Sequence, residues 1–351
     1  MINYADITKI HIELSSACNA ACPACPRNVA GGAPIPNLTV KSFTLSDFAL
    51  IFPDELLARC TQIILCGRYG DPALCKDLPA ILDHIASVNQ NVYIRMHTNG
   101  GTRPAAWWAS LPAKHERLIV IFSIDGLHDT NHIYRRGVIW NKLWQNVEAY
   151  ISNGGKAVWE YLIFEHNEHQ LEQARELAAQ TGFNSFNLKR PYGFDSIQKA
   201  TPIMNVANRQ GDFEYNIKPA VDEKLTNFVW HSVTGESMDV APMLQIDCHA
   251  VRNREIYVDA LGNVHPCCWL AYAGQPNIAM DLAEATYTNW LKEIVGLENI
   301  NAHTKTIEDI VASPYFGLIA DTWDNTEQGG VFQTCVQMCA KQKNMRTKLI
   351  V

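Results

Sequence analysis

Over the first 190 residues, short apolar runs alternate with amphipathic stretches, and little sequence lies between them. Apolar or alternating runs of five to eight residues predict strands over Ile7–Leu14, Gln62–Cys66, Val92–Met96, Leu118–Ile124, Ala157–Phe164 and Phe183–Leu188. Asn141–Ser152 spaces Leu143, Val147 and Ile151 four apart with Trp144 on the adjacent edge, as a helix with one buried face would. Gln170–Gln180 sets Leu171, Ala174, Leu177 and Ala178 on one helical face, and Gly182 marks its end. Six strand-then-helix units in a row predict an α/β fold with a parallel sheet and outer helices, a partial (β/α)6 barrel over residues 1–194.

The rhythm fades after that. Residues 195–243 are mixed, polar and weakly periodic, and are expected to be a connecting region. Residues 244–351 form a second, smaller α+β unit. Ile256-Tyr257-Val258-Asp259 and Val264-His265 predict the two arms of a hairpin that turns at Gly262. Amphipathic segments over Tyr287–Ile294 and Ile307–Ile319 follow it. No internal repeat or low-complexity tract is visible.

Polar and glycine-rich clusters fall at strand ends. Cys18–Cys25 follows the first strand, Gly67-Arg68-Tyr69-Gly70-Asp71-Pro72 the second, and Thr98-Asn99-Gly100-Gly101 the third. Ser123-Ile124-Asp125-Gly126 ends the fourth, and Lys189-Arg190-Pro191-Tyr192-Gly193 follows the sixth. The carboxyl face of parallel strands is where β/α barrels build active sites.

Composition narrows the class. Hydrophobic residues at 47% and charged residues at 19% of 351 describe a globular chain with a full core. A net charge of −7 argues against a nucleic-acid polymer as partner, and no apolar run is long enough to cross a bilayer. The start, Met1-Ile2-Asn3-Tyr4-Ala5-Asp6, has no basic and apolar signal pattern, so a cytoplasmic location is expected.

There are eleven cysteines. In a reducing compartment, clustered cysteines serve as metal ligands or catalytic groups more often than as disulfides. Cys60, Cys66 and Cys75 stand apart and read as small buried hydrophobes. Cys18-x3-Cys22-x2-Cys25 offers three thiolates on one loop, one fewer than a structural zinc site takes. Three thiolates on an iron–sulfur cluster leave one iron open to a ligand.

This spacing after the first strand of a (β/α)6 unit resembles the radical S-adenosylmethionine (SAM) superfamily. The resemblance implies a catalytic [4Fe–4S] cluster on Cys18, Cys22 and Cys25 that chelates SAM. It further implies reductive cleavage of SAM to a 5′-deoxyadenosyl radical, which takes a hydrogen atom from an unactivated C–H bond. Gly67–Pro72 is similar to the family's Gly-Gly-Glu-Pro motif, with Gly70 and Asp71 toward the SAM amino group. Thr98 and Asn99 match its Thr-Asn-Gly motif. Ser123 and Asp125, then His128, Arg135, Arg136 and Gly137, resemble a stretch of its peptide-modifying branches. There Ser123 would help place the SAM ribose or methionine, and Arg136 would pair with its carboxylate. Ala24 departs from the family, which commonly has an aromatic before the third cysteine.

Cys248-x13-Gly262-x4-Cys267 with Cys335-x3-Cys339 resembles the auxiliary-cluster modules called SPASM and twitch. A full SPASM module has seven cysteines; the five here imply a single auxiliary [4Fe–4S] cluster on Cys248, Cys267, Cys335 and Cys339. A structural zinc on the same four thiolates is the rival. Cys268 is left over, as a buried bystander, a replacement ligand or a hydrogen-atom donor. On an extended hairpin arm Cys267 and Cys268 would face opposite sides.

Three functions follow. The first is a radical SAM oxidoreductase acting on a peptide or small molecule, with an electron donor such as flavodoxin or ferredoxin. The second is an isomerase or epimerase with Cys268 as hydrogen donor. The third is a non-catalytic iron–sulfur or zinc protein.

Overall fold

The computed structural model describes residues 1–191, 203–222, 225, 244–272, 290–324 and 333–342. The six expected strands are present as β1 (Lys9–Ile12), β2 (Gln62–Leu65), β3 (Tyr93–Thr98), β4 (Leu118–Ser123), β5 (Lys156–Leu162) and β6 (Ser185–Lys189). They pair in parallel in chain order. Tyr192 and Gly193 lie outside the described residues.

The sheet has two chemically different faces because side chains alternate along a strand. Ile10, Ile12, Ile63, Leu65, Ile94, Met96, Val120, Phe122, Trp159 and Tyr161 are all 0% exposed and form the core on the convex side. Helices cover that side. Leu78–Val88 buries Leu78, Ile81, Leu82 and Ile85, and Trp140–Ser152 buries Leu143, Val147 and Tyr150. Leu171–Thr181 stops at Gly182, which has φ +94° and leads the chain out of the helix. The other face is mixed: it carries His11, Arg95, His97, Ser123 and Glu160 among Ile64, Ile119 and Ile121.

The expected hairpin forms as β10 (Glu255–Val258) and β11 (Val264–His265), but it is not confined to a separate unit. β10 pairs in parallel with β1, so the sheet has eight strands in the order β11-β10-β1-β2-β3-β4-β5-β6. The edge of β1 is apolar on its convex side and needs a partner, and Ile256 and Val258, both fully buried, supply one.

Three expectations are corrected. The connecting region holds an antiparallel hairpin, β7 (Met204–Ala207) and β8 (Phe213–Ile217). It packs on the loop after Cys25 through the Ala207 N–H and the Ala30 carbonyl, 2.9 Å apart. The segment Ile307–Ile319 is two helices, Ile307–Ala312 and Pro314–Asp324, because Pro314 cannot continue the first. Cys267 and Cys268 do not lie on an extended arm; β11 ends at His265 and a helix begins at Cys268. Of the segment Tyr287–Ile294, residues 287–289 lie outside the described set, and a helical turn covers Leu291–Val295. β9 (Leu244–Ile246) and β12 (Ala340–Gln342) pair antiparallel and bring these two distant segments together.

Because β10 completes the barrel sheet, the two units should unfold together. Ile256→Ala is expected to cost about 2–5 kcal/mol and to shift a single urea transition of the whole chain. Two separate transitions, with only one shifted, would show that the hairpin is an independent unit.

Candidate active site

The loops at the carboxyl ends of β1, β2 and β3 meet around one buried carboxylate. Asp71, 4% exposed, caps the short turn Pro72–Leu74 and accepts from the Ala73 N–H at 3.0 Å. It also accepts from the Thr98 hydroxyl at 2.9 Å, the Asn99 N–H at 2.8 Å and the Asn99 amide at 2.8 Å. Burial pushes the Asp71 carboxyl up, while these donors and the charge of Arg135 pull it down. The Asn99 amide, so held, donates to Asn19 at 2.9 Å and lies 3.7 Å from Cys18 Sγ. Three of the predicted residues, Asp71, Thr98 and Asn99, are therefore one hydrogen-bonded unit beside the first cysteine.

Gly70 serves this arrangement by being small. A Cβ there would stand 1.7 Å from the Ser15 carbonyl oxygen, so only glycine lets the loop close onto the segment before Cys18. Its N–H and that of Tyr69 donate to Glu13 Oε1 at 3.1 and 2.6 Å. Glu13 is 2% exposed, and burial pushes its carboxyl up to about 7. Its role was not read from the sequence, where the visible signal is a carboxylate set directly after the apolar end of β1.

A buried ion pair stands by the second cysteine. Asp125, 0% exposed, accepts from Arg135 Nε at 2.6 Å and from the Leu162 N–H at 2.7 Å. Arg135 Nη1 reaches Cys22 Sγ at 3.7 Å. Asp125 is thus part of the site as a support for Arg135. The Arg136 side chain is directed elsewhere: it donates to the Ala207 carbonyl and to Glu214 on the β7–β8 hairpin. The adjacent arginines alternate direction at the end of the short helix Asn131–Tyr134, and the sequence pattern did not say which faces the cysteines. Ser123 closes β4 on the concave face, level with Glu160 of β5, and makes no hydrogen bond among the described residues.

Cys18, Cys22 and Cys25 lie close enough to influence one another, and burial pushes all three thiols up, Cys25 to about 12. Such thiols ionise readily only when a metal or cation meets them. The Tyr69 hydroxyl, near Cys25, is buried and has no partner among the described residues.

The second cysteine group lines one small cavity. Cys248, Cys267, Cys335 and Cys339 face it, with Trp269, Leu270 and Trp323 among its apolar walls. Cys248 accepts a hydrogen bond from Cys339, which holds Cys248 below a free thiol. The buried indole N–H of Trp323, beside Cys335, finds no partner among the described oxygen and nitrogen atoms. Cys268 is absent from the lining of this cavity. It starts the helix Cys268–Tyr272 and lies within reach of the charges of Glu255 and Arg68 and of the Cys66 thiol. Among the described residues, no three His, Cys, Asp or Glu side chains converge as a single metal ion requires.

Neither protein-family models nor curated proteins match the sequence. Solved structures do match in fold. Streptococcus suis SuiB bound to S-adenosylmethionine superposes with a TM-score of 0.52 at 13% identity, over 83% of this chain and 67% of that one. SuiB bound to its precursor peptide SuiA gives 0.50 at 12%, over 83% and 66%. The enzyme anSMEcpe with bound AdoMet gives 0.52 at 12%, over 87% of this chain and 81% of that one. The present chain thus spans about two thirds of SuiB. A mostly parallel sheet with its cysteine loop after β1, superposing on these SAM-bound structures, has the fold of the radical SAM enzymes.

Proposed function

We propose that this chain is a radical SAM enzyme whose cluster sits on Cys18, Cys22 and Cys25. The observation that carries the reading is the placement of these three thiols at the carboxyl end of β1, with Asn99 aimed at Cys18 and Arg135 at Cys22. The donor set fits a cluster: three thiols largely out of water, a cation to offset their charge, and the Tyr69 hydroxyl beside Cys25, unpartnered among the described residues. When bound, such a cluster supplies the electron that cleaves SAM.

The chain's own contribution is position and shielding. Asp71 fixes Thr98 and Asn99, so the β3 loop presents its amide to Cys18 at a set distance. Asp125 holds Arg135 by one edge of its guanidinium and leaves the other for Cys22 and for an anionic group of SAM. The β7–β8 hairpin covers the loop beyond Cys25 and keeps water from that side.

The cavity of Cys248, Cys267, Cys335 and Cys339 suits an auxiliary cluster. Four thiols on one cavity match the ligand count of such a cluster, and the Trp323 N–H beside Cys335 would support that ligand's sulfur. A second cluster favours reactions that release a second electron, such as oxidation, dehydrogenation or cross-linking of a peptide or small molecule. SuiB, solved with a precursor peptide, makes a peptide substrate a reasonable first trial. Flavodoxin or ferredoxin would supply the reducing electron. No described helix is long and apolar enough to cross a membrane.

An isomerase is the second reading. Cys268 stands outside the four-thiol cavity and burial pushes its thiol up to about 12, so it keeps the hydrogen that a donor must give. In Cys268→Ala, SAM cleavage without product would favour the isomerase, and normal turnover would favour the oxidoreductase.

Anaerobically reconstituted protein should carry about eight irons, and about four after Cys18, Cys22 and Cys25 are all replaced by alanine. Stoichiometric zinc with iron capped at four would remove the auxiliary cluster from the reading.

SAM affinity separates the two arginines. Asp71→Asn and Arg135→Ala are expected to weaken SAM binding by roughly tenfold to hundredfold, measured by equilibrium dialysis on cluster-loaded protein. Arg136→Ala should bind SAM nearly as the parent does. The reverse order would return the SAM carboxylate to Arg136.

A further inference from the structure

The concave wall below the Cys18–Cys25 loop carries charged side chains, and Glu160 and Glu255 each have a lysine within reach of their charge. Lys189 Nζ lies 2.7 Å from one oxygen of Glu160, and His97 Nδ1 lies 3.7 Å from the other. Lys9 and Glu255 are register partners across β1 and β10, and His11 Nδ1 is 3.9 Å from Glu255. Burial holds His11 and His97 at about 4, so both rings are neutral at pH 7.

Arg95 is different. It lies on the concave side of β3, two residues before His97, whose ring its charge reaches. Its register neighbours are Ile64 on β2 and Ile119 on β4, which offer no countercharge. Among the described residues it has no hydrogen bond or ion pair, although a guanidinium is charged at any physiological pH. Flanked by Ile64 and Ile119, and with no countercharge among the described residues, its guanidinium attracts an anion more strongly than a paired arginine does.

We propose that Arg95 anchors the anionic group, a carboxylate or phosphate, of a substrate that lies along the concave face. The proposal rests on the reading of the chain as a radical SAM enzyme and adds the chemical class of what it acts on. Arg95 on β3 and Asn99 just past its end are four residues apart, a rise of about 13 Å, and Asn99 touches Cys18. A molecule held at Arg95 therefore needs a length on the order of 10 Å to bring a C–H bond up to the cysteine loop. Glu160, with Lys189 on one side, is left to meet a hydroxyl or amine along the way.

The test uses the full chain, titrated by calorimetry at low ionic strength. The probes are succinate, inorganic phosphate, an N-acetyl-aspartyl peptide amide and, as neutral control, succinamide. At least one anion is expected to bind saturably and the control not to bind. Arg95→Gln should weaken that anion roughly tenfold to hundredfold, and Arg95→Lys, which keeps the charge but loses the fork, should fall between. Preference for the free acids or for the peptide shows whether the anion belongs to a small molecule or a peptide side chain. The proposal fails if no anion binds, if succinamide binds equally, or if Arg95→Gln binds as the parent does. SAM affinity on the same samples is a separate readout, expected to be equal in parent and Arg95→Gln. A parent chain that binds SAM but none of the anions sinks the Arg95 site alone. Anion binding retained in a chain that binds no SAM sinks the enzyme reading and leaves the site standing.

Discussion

The site is organised by the burial of one carboxylate. Asp71 is almost wholly out of water, and an ion there is tolerated only if its oxygens are fully met. The donors come from its own turn and from the first residues past β3, while its own N–H donates to Ala17, just before Cys18. Three loops that have no other reason to share a position are thereby tied to each other. A hydrogen bond to a charged group contributes about 1.5–3 kcal/mol, so loosening any one loop is costly to the others.

The same economy links the two cysteine groups. Glu13 ties the end of β1 to the Gly67–Pro72 loop, and Tyr257 of β10 reaches its second oxygen at 3.4 Å. From that loop Arg68 donates to the Ala271 carbonyl, in the helix that begins at Cys268. Residues far apart in the chain thus rest on one loop, with the first cysteines on one side and Cys267 on the other. The β1–β10 pairing is the backbone counterpart of these side-chain bonds.

The periodic part of the fold was legible in the sequence. β1–β6 each lie within or overlap the expected run, because fully buried parallel strands leave unmistakable apolar stretches such as Ile63 to Leu65. The β7–β8 hairpin was missed although Phe213-Glu214-Tyr215-Asn216-Ile217 alternates apolar and polar residues, because the run is short and stands in a polar stretch, with only Ile217 of β8 buried. Pairing of β10 with β1 was invisible for another reason: no local pattern says which distant edge a hairpin will join. Among site residues, Asp71, Thr98 and Asn99 were found by motif, whereas Glu13 carries no motif. Arg135 and Arg136 share every sequence property, and only the helix geometry sends one toward Cys22 and the other toward Glu214.

The order in which the strands leave the ribosome gives the β1–β10 ladder a further meaning. Lys9 is matched with Glu255, and more than two thirds of the chain lies between them. At ordinary rates of synthesis this gap corresponds to roughly 10–50 s. For that time the cysteine loop and its supports from β2 to β4 already exist, while the outer edge of β1 is bare. A chaperone that recognises an open strand edge would meet the nascent chain in that interval, and the arrival of β10 would end it.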